Sequence, residues 1–428
     1  MTLTRRSFVA GAAVAALGRA LPAGAENRPH EQPGTTIDGG AGASTPKEES
    51  GGPSIPDAFL AHRFDPWVEV DPASLHYNVQ VVRRLAEGRP VLAVIKNNAY
   101  GLGLERVARI LEPLPGIAGF AVVKAEAALG LRTAGIEKPI LHMGLFGEEG
   151  PAMVARDIHL SLTADEAVPR VREAEHRARR AARTHVYLDT GMSRMGVPWH
   201  RALPWMEEVS AAGIAVDGTF MAFTEEPDFD REQLRRFQEL TRRARERGVD
   251  LGRLHAASSN GVFHLPGGHL DMVRPGIALF GAYPTDWDAE RAMAQLRPAL
   301  RFRARVVRVE RLRVGDGVSY GHNYVAKRPT WIATLPAGHT DGVPREAVKG
   351  QRVLIGRRTY PVIGAVSASH CIVEVGGDRS VEVGDVATLL GPDHPEIHPN
   401  RVAEATGRSV YDVLMHLSPT LPRTEGRF

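Results

Sequence analysis

The chain has 428 residues, of which 43% are hydrophobic and 24% charged, and its formal net charge is +3. That length accommodates two domains, and so small a charge excludes neither fold class nor catalysis but gives no argument for nucleic acid or an acidic partner. A single cysteine, Cys371, rules out an internal disulfide and any cysteine-built zinc centre.

Residues 1–25 read as a twin-arginine secretory signal. Arg5-Arg6 stands before an apolar run at 9–17, and Ala23-Gly24-Ala25 supplies small residues for cleavage before Glu26. The run is about half a membrane span, so no stable membrane anchor is expected. The expected location is periplasmic, or otherwise outside the cytoplasm by the same route. Residues 26–64 are rich in Gly, Pro, Ser and Thr and cannot bury a core, which predicts a linker.

Asp71-Pro72 is an N-cap followed by proline at the first helical position, and Leu75, Asn78, Val82 and Leu85 fall near one face of the helix it opens. Eight short apolar runs then lie at 91–95, 119–123, 139–143, 158–162, 185–188, 216–223, 253–257 and 271–274. Amphipathic stretches separate them, including 124–134, 164–180 and 230–247. The Arg-rich part of the second stretch is broken by Glu173 and Glu175 and reads as a solvated helix face. Continuous apolar strands alternating with helices mean a parallel sheet covered on both faces. Eight such units predict an α/β fold, a (β/α)8 TIM barrel spanning 65–295. From 296 to 428 the texture is β-rich, with runs at 302–309, 331–335, 351–355, 360–366, 371–375 and 386–390 and a last helix at 408–417. That predicts a mostly β C-terminal domain.

In such a barrel the chemistry sits at the carboxyl ends of the strands. The first run ends in Lys96-Asn97-Asn98-Ala99-Tyr100-Gly101-Leu102-Gly103. A lysine there faces the barrel mouth, where desolvation turns its amine into a usable nucleophile or base. A lysine at a strand end is also an ordinary surface residue, so this position alone decides nothing. Gly101-Leu102-Gly103 lacks the full spacing of a nucleotide loop.

The motifs in order decide more. Val94-Ile95-Lys96-Asn97-Asn98-Ala99-Tyr100-Gly101 closely resembles the cofactor-lysine motif of the alanine racemase family. Asp189-Thr190-Gly191-Met192, His255-Ala256-Ala257-Ser258-Ser259, Val273-Arg274-Pro275-Gly276-Ile277 and Val318-Ser319-Tyr320-Gly321 resemble later family segments, and Tyr411 lies in a matching C-terminal one. The resemblance implies an amino-acid racemase that uses pyridoxal 5'-phosphate and interconverts L- and D-alanine or a broader set by a two-base mechanism. It implies that Lys96 carries the cofactor and acts on one face of the substrate. It implies that Tyr320 acts on the other, reaching across the interface of a homodimer. Tyr100, Ser259, Tyr411 and the backbone of Gly276 and Ile277 would hold the phosphate, Arg274 the pyridine nitrogen. Arg194 and the backbone at Ala368 would position the substrate. No metal is implied.

The chain departs from the family pattern where it faces substrate. Tyr187 stands where a lysine, often carbamylated, braces the arginine at 194. Ala222 stands where a histidine is usual, His339 where a tyrosine is, Ser258 where an asparagine is, and Ala368-Ser369 where Met-Asp is. Two alternatives follow: a weakly active or inactive cofactor-binding homologue, or a pyridoxal-phosphate-dependent D-amino-acid aldolase or lyase. The latter class places metal ligands in its β domain, and His394 and His398 read instead as part of a solvated loop.

Overall fold

The computed structural model describes residues 63–428. The expected leader and nearly all of the expected linker lie outside them. Strand β1 (Trp67–Val70) leads into helix α1 (Pro72–Leu85). The Asp71 carboxylate accepts from Ala73 N–H at 3.2 Å and Ser74 N–H at 3.1 Å, so the expected cap forms. Leu75, Val79 and Val82 bury the apolar face. Asn78 lies on that face too, because its amide donates to the carbonyls of Leu279 and Arg297 and accepts from Arg297 N–H. A buried amide with all these partners costs little and ties α1 to the barrel's last turn.

The parallel strands run β2 (Val91–Val94), β3 (Ile117–Val122), β4 (Ile140–His142), β5 (Ile158–Leu162), β6 (Arg183–Asp189), β8 (Ala215–Phe220) and β9 (Arg253–His255), in that spatial order, with the two-residue β7 (Val197–Pro198) beside β6. Residues 271–275 close the ring. Leu92 and Val94 donate to the carbonyls of Val273 and Pro275, while Asp271 and Arg274 donate back to Leu254 and Ala257. All eight expected runs are therefore barrel staves. The helices between them, Ala125–Thr133, Ala167–Ala178 and Pro227–Glu246 among them, cover the outside. Inside, Leu92, Val94, Ala121, Leu141, Tyr187, Phe220 and Met272 pack together.

The C-terminal part is a nine-stranded sheet. It differs from expectation in three places. β1 belongs to this sheet rather than to the barrel domain: it pairs antiparallel with Leu300–Arg305 and parallel with Arg423–Glu425. Partners that distant in sequence leave no local signal. The run expected at 302–309 is two strands, Leu300–Arg305 and Arg308–Leu312, because Val306 turns to Asp385 and Val307 to Thr334. The segment around His394 and His398 is less solvated than expected. Their Nδ1 atoms accept from Glu396 and Asn400 N–H as caps, and His398 stacks on Trp287 at 5.4 Å. The last helix is Val410–Met415, capped by Ser409. Among the described residues no helix is long and apolar enough to cross a membrane.

Candidate active site

β2 delivers Lys96 to the carboxyl end of the barrel. The backbone then makes a left-handed turn: Asn97, Asn98, Ala99 and Tyr100 have φ of 53°, 55°, 50° and 53°. Each such L-residue costs about 1–2 kcal/mol, so the surroundings must impose the turn. They do so at named places. Ala99 N–H donates to Ile95, and Leu104 N–H donates to the Asn98 side chain at 2.9 Å. Gly101 has a φ of 88°, and a side chain there would overlap the Leu414 carbonyl. The result places the partly buried Lys96 amine at the mouth and buries Tyr100 beneath it, with its ring stacked on Phe280 at 4.8 Å. Burial lowers the Lys96 pKa, the Arg194 charge lowers it further, and Glu225 opposes both.

Beside this turn lies a set of donors. Ser259 Oγ gathers Gly276 N–H at 3.0 Å and Ala278 N–H at 3.2 Å. A Cβ on Gly276 would overlap the Tyr100 hydroxyl, so glycine alone allows this approach. Ile277 is buried and opens the helical turn that follows. The Tyr411 ring lies 6.3 Å from that of Tyr100. Burial raises the pKa of both phenols, which leaves them neutral donors. Ser258 Oγ is buried with no partner among the described residues.

Arg274 is only 7% exposed and lies over the Phe220 ring at 5.0 Å. Nη1 donates to the His255 carbonyl at 2.6 Å and contacts His255 Nδ1 at 3.0 Å. Nη2 donates to the carbonyls of Met221 and Ala256. Nε–H has no partner among the described residues. Burial pushes the guanidinium pKa down to about 10, which still leaves it charged at neutral pH.

Of the remaining expected residues, Arg194 lies close enough to act on Lys96 by its charge, while Tyr320 and Ala368 make no contact with it. Arg194 is exposed on the loop after β6, whose base is fixed by Asp189 accepting from Gly191 and Ser193 N–H. Tyr320 sits on the β domain, 76% exposed, in a tight turn between Ser319 and His322. The exposed Ala368 is on a neighbouring loop of that domain, its carbonyl taken by Thr340. No hydrogen bond, ion pair or ring contact joins Tyr320 or Ala368 to Lys96 among the described residues.

The departures have structural consequences. Tyr187 is buried in the barrel and stacked on Phe220. The Ala222 carbonyl accepts from Gln233, so the loop after β8 is held through its backbone. His339 contacts Arg345 on the surface. Glu225 was not legible as a site residue. It follows β8 with a φ of 68°, its side chain exposed at the barrel mouth, and electrostatically influences Lys96, Tyr100 and Tyr411. Burial, then Asp230, raises its own pKa. An acidic residue just past a barrel strand is the signal that could have found it.

These groups fit pyridoxal phosphate. A desolvated amine suits an aldehyde, and backbone N–H groups, hydroxyls and neutral phenols suit a phosphate. The orphaned Ser258 hydroxyl and the free Arg274 Nε–H leave donors for a bound group. Fold and site together define a class: pyridoxal-phosphate enzymes built on a barrel with a β domain appended.

Comparison with known proteins resolves the class further. The family model described as alanine racemase, N-terminal domain, matches residues 70–284, and alanine racemase, C-terminal domain, matches residues 299–425. The alanine racemase of Carboxydothermus hydrogenoformans is 34% identical over 364 residues, covering 83% of this chain and 98% of that protein. The crystal structure of alanine racemase from Streptomyces lavendulae superposes with a TM-score of 0.80 at 31% identity, covering 85% of this chain and 97% of the other. That of Bacillus anthracis alanine racemase with bound L-Ala-P gives 0.76 at 28% identity, covering 85% and 95%. The chain belongs to the alanine racemase family. It is a pyridoxal-phosphate-dependent isomerase, an amino-acid racemase. Among the described residues no group of three or more His, Cys, Asp or Glu is placed to hold a metal ion.

Proposed function

We propose that Lys96 and Tyr320 are the two proton-handling groups of this racemase, that they come from different subunits of a homodimer, and that the enzyme works outside the cytoplasm. Bound pyridoxal phosphate supplies an electron sink that acidifies the α-hydrogen of the amino acid. Tyr100, Ser259, Tyr411 and the N–H groups of Gly276 and Ile277 would hold its phosphate, and Arg274 would serve its ring nitrogen. A guanidinium keeps its protons, so Arg274 would donate to that nitrogen rather than protonate it. Arg194 and the Ala368 backbone N–H orient the substrate carboxylate.

The Lys96 amine, its pKa lowered by burial and Arg194, can exist as free base and exchange a proton on one face. The Tyr320 hydroxyl exchanges one on the other face, which inverts the centre. The observation that carries the two-subunit reading is the contrast in exposure. Lys96 is partly buried at the barrel mouth, while Tyr320 is 76% exposed on the β domain and makes no hydrogen bond or ring contact with Lys96 among the described residues. The loss of charged or polar side chains at Tyr187 and Ala222 supports a substrate range broader than alanine.

Mixing subunits tests the dimer. A Lys96→Ala subunit paired with a Tyr320→Phe subunit leaves one site intact only if the tyrosine is donated across the interface. Such mixtures should regain activity that neither variant has alone. Mixed dimers without activity would sink the reading. Arg5-Arg6 supports export by the twin-arginine route, and Arg5→Lys with Arg6→Lys should hold the protein in the cytoplasm.

A further inference from the structure

A file of buried imidazoles runs from Arg274 down through the barrel. His255 Nε2 lies 2.9 Å from His185 Nδ1, and His185 Nε2 lies 3.2 Å from His159 Nδ1. His255 ends β9, His185 is the third residue of β6 and His159 the second of β5, so the file descends from the carboxyl end toward the amino end. At its foot, the carboxylate of Asp217 lies 3.8 Å from His159 Nδ1 and is bound by Arg183 at 3.0 and 2.8 Å. All three histidines are buried. Gly218 on β8 makes room, because a Cβ there would lie 2.6 Å from His185 Nδ1.

Proton counting gives the file one direction. A guanidinium offers only donors, so His255 Nδ1 must accept from Arg274. A neutral His255 then carries its proton on Nε2 and donates it to His185 Nδ1. The same reasoning makes His185 donate from Nε2 to His159 Nδ1. The last proton, on His159 Nε2, is buried without a partner among the described residues. Protonating any ring would set donor against donor. The surroundings oppose it as well: burial pushes His159 down to about 4 and His185 to about 3, and lowers His255 too. Around His159, Asp217 and Asp157 pull the other way while Arg183 and Arg132 add to the effect.

We propose that His159 is a positioning residue for Arg274, acting through His185 and His255 from the opposite end of the barrel. Each ring accepts from the one above it, so the guanidinium is held by a neutral file that cannot reverse. The inference rests on the reading that Arg274 faces the cofactor ring.

The test uses the holoenzyme with ¹⁵N-labelled histidine. Long-range ¹H–¹⁵N correlations should show all three rings neutral at neutral pH with the proton on Nε2. A proton on Nδ1 of His255 or His185 would overturn the proposal, and this measurement needs no variant. His159→Leu removes the final acceptor. It should shift the absorbance and pH titration of the bound cofactor, speed cofactor release about tenfold, as expected for one lost buried hydrogen bond, and lower kcat more than it raises KM. His159→Asn should restore the parent behaviour, since its amide oxygen can take the place of Nδ1. A His159→Leu enzyme with the parent spectrum and release rate contradicts the proposal. Arg274→Lys separates the two claims: an unchanged cofactor spectrum there would sink the assignment of Arg274 while leaving the tautomer result standing.

Discussion

The ring of Tyr187 lies 4.2 Å from that of Phe220, inclined by 26°. The family places a lysine at this position to brace the arginine at 194. Here it is an aromatic plug against the same Phe220 that Arg274 covers. Restoring the family residue should therefore harm this chain. Tyr187→Lys removes a stacked pair and sets an ammonium among Leu92, Val94 and Leu141. Thermal unfolding should show a loss of about 3 kcal/mol. Unchanged stability would mean the barrel can hydrate or pair that charge.

Gly276 and Tyr100 make a second pair that tolerates little change. The tyrosine is fixed by its left-handed backbone and by Phe280, so it cannot retreat from a methyl group at 276. Gly276→Ala should keep the fold and weaken pyridoxal phosphate binding by at least about tenfold, the effect of losing a good phosphate contact. Parent affinity, measured by fluorescence titration of the apo protein, would remove Gly276 from the phosphate site.

The neighbours of Lys96 give paired pH predictions of opposite sign. A depressed amine pKa means free base, and hence covalent attachment of the cofactor, at lower pH than for an ordinary lysine. Arg194 disfavours a second positive charge, so Arg194→Gln should move the attachment midpoint up in pH. Glu225 favours the charge, so Glu225→Gln should move it down. Absorbance of the attached cofactor against pH reads both. Shifts of the same sign would contradict the electrostatic account.

The barrel was legible because strands buried on both faces are continuous apolar runs, and each of the eight became a stave. The N-cap at Asp71 was legible because capping is local. β1 was not, since its partners lie more than two hundred residues away. The left-handed turn at 97–100 was not either: Asn97 and Asn98 tolerate it, but Ala99 and Tyr100 adopt it only under tertiary constraint. The histidine file escaped notice because inward-facing polar residues on separate strands form no pattern along the chain. Lys96, Tyr100, Ser259, Gly276 and Tyr411 come together at one mouth. Tyr320 and Ala368 are exposed on the β domain of the same chain, and the proposal that a second copy brings them to the site rests on that separation.

The most direct test of the account is α-hydrogen exchange in deuterated water, with L- and D-alanine offered separately to the parent enzyme and to Tyr320→Phe. The parent should exchange both enantiomers. The variant should retain exchange with the enantiomer served by Lys96 and lose most of it with the other. Equal exchange of both enantiomers by the variant would contradict the assignment of Lys96 and Tyr320 to opposite faces.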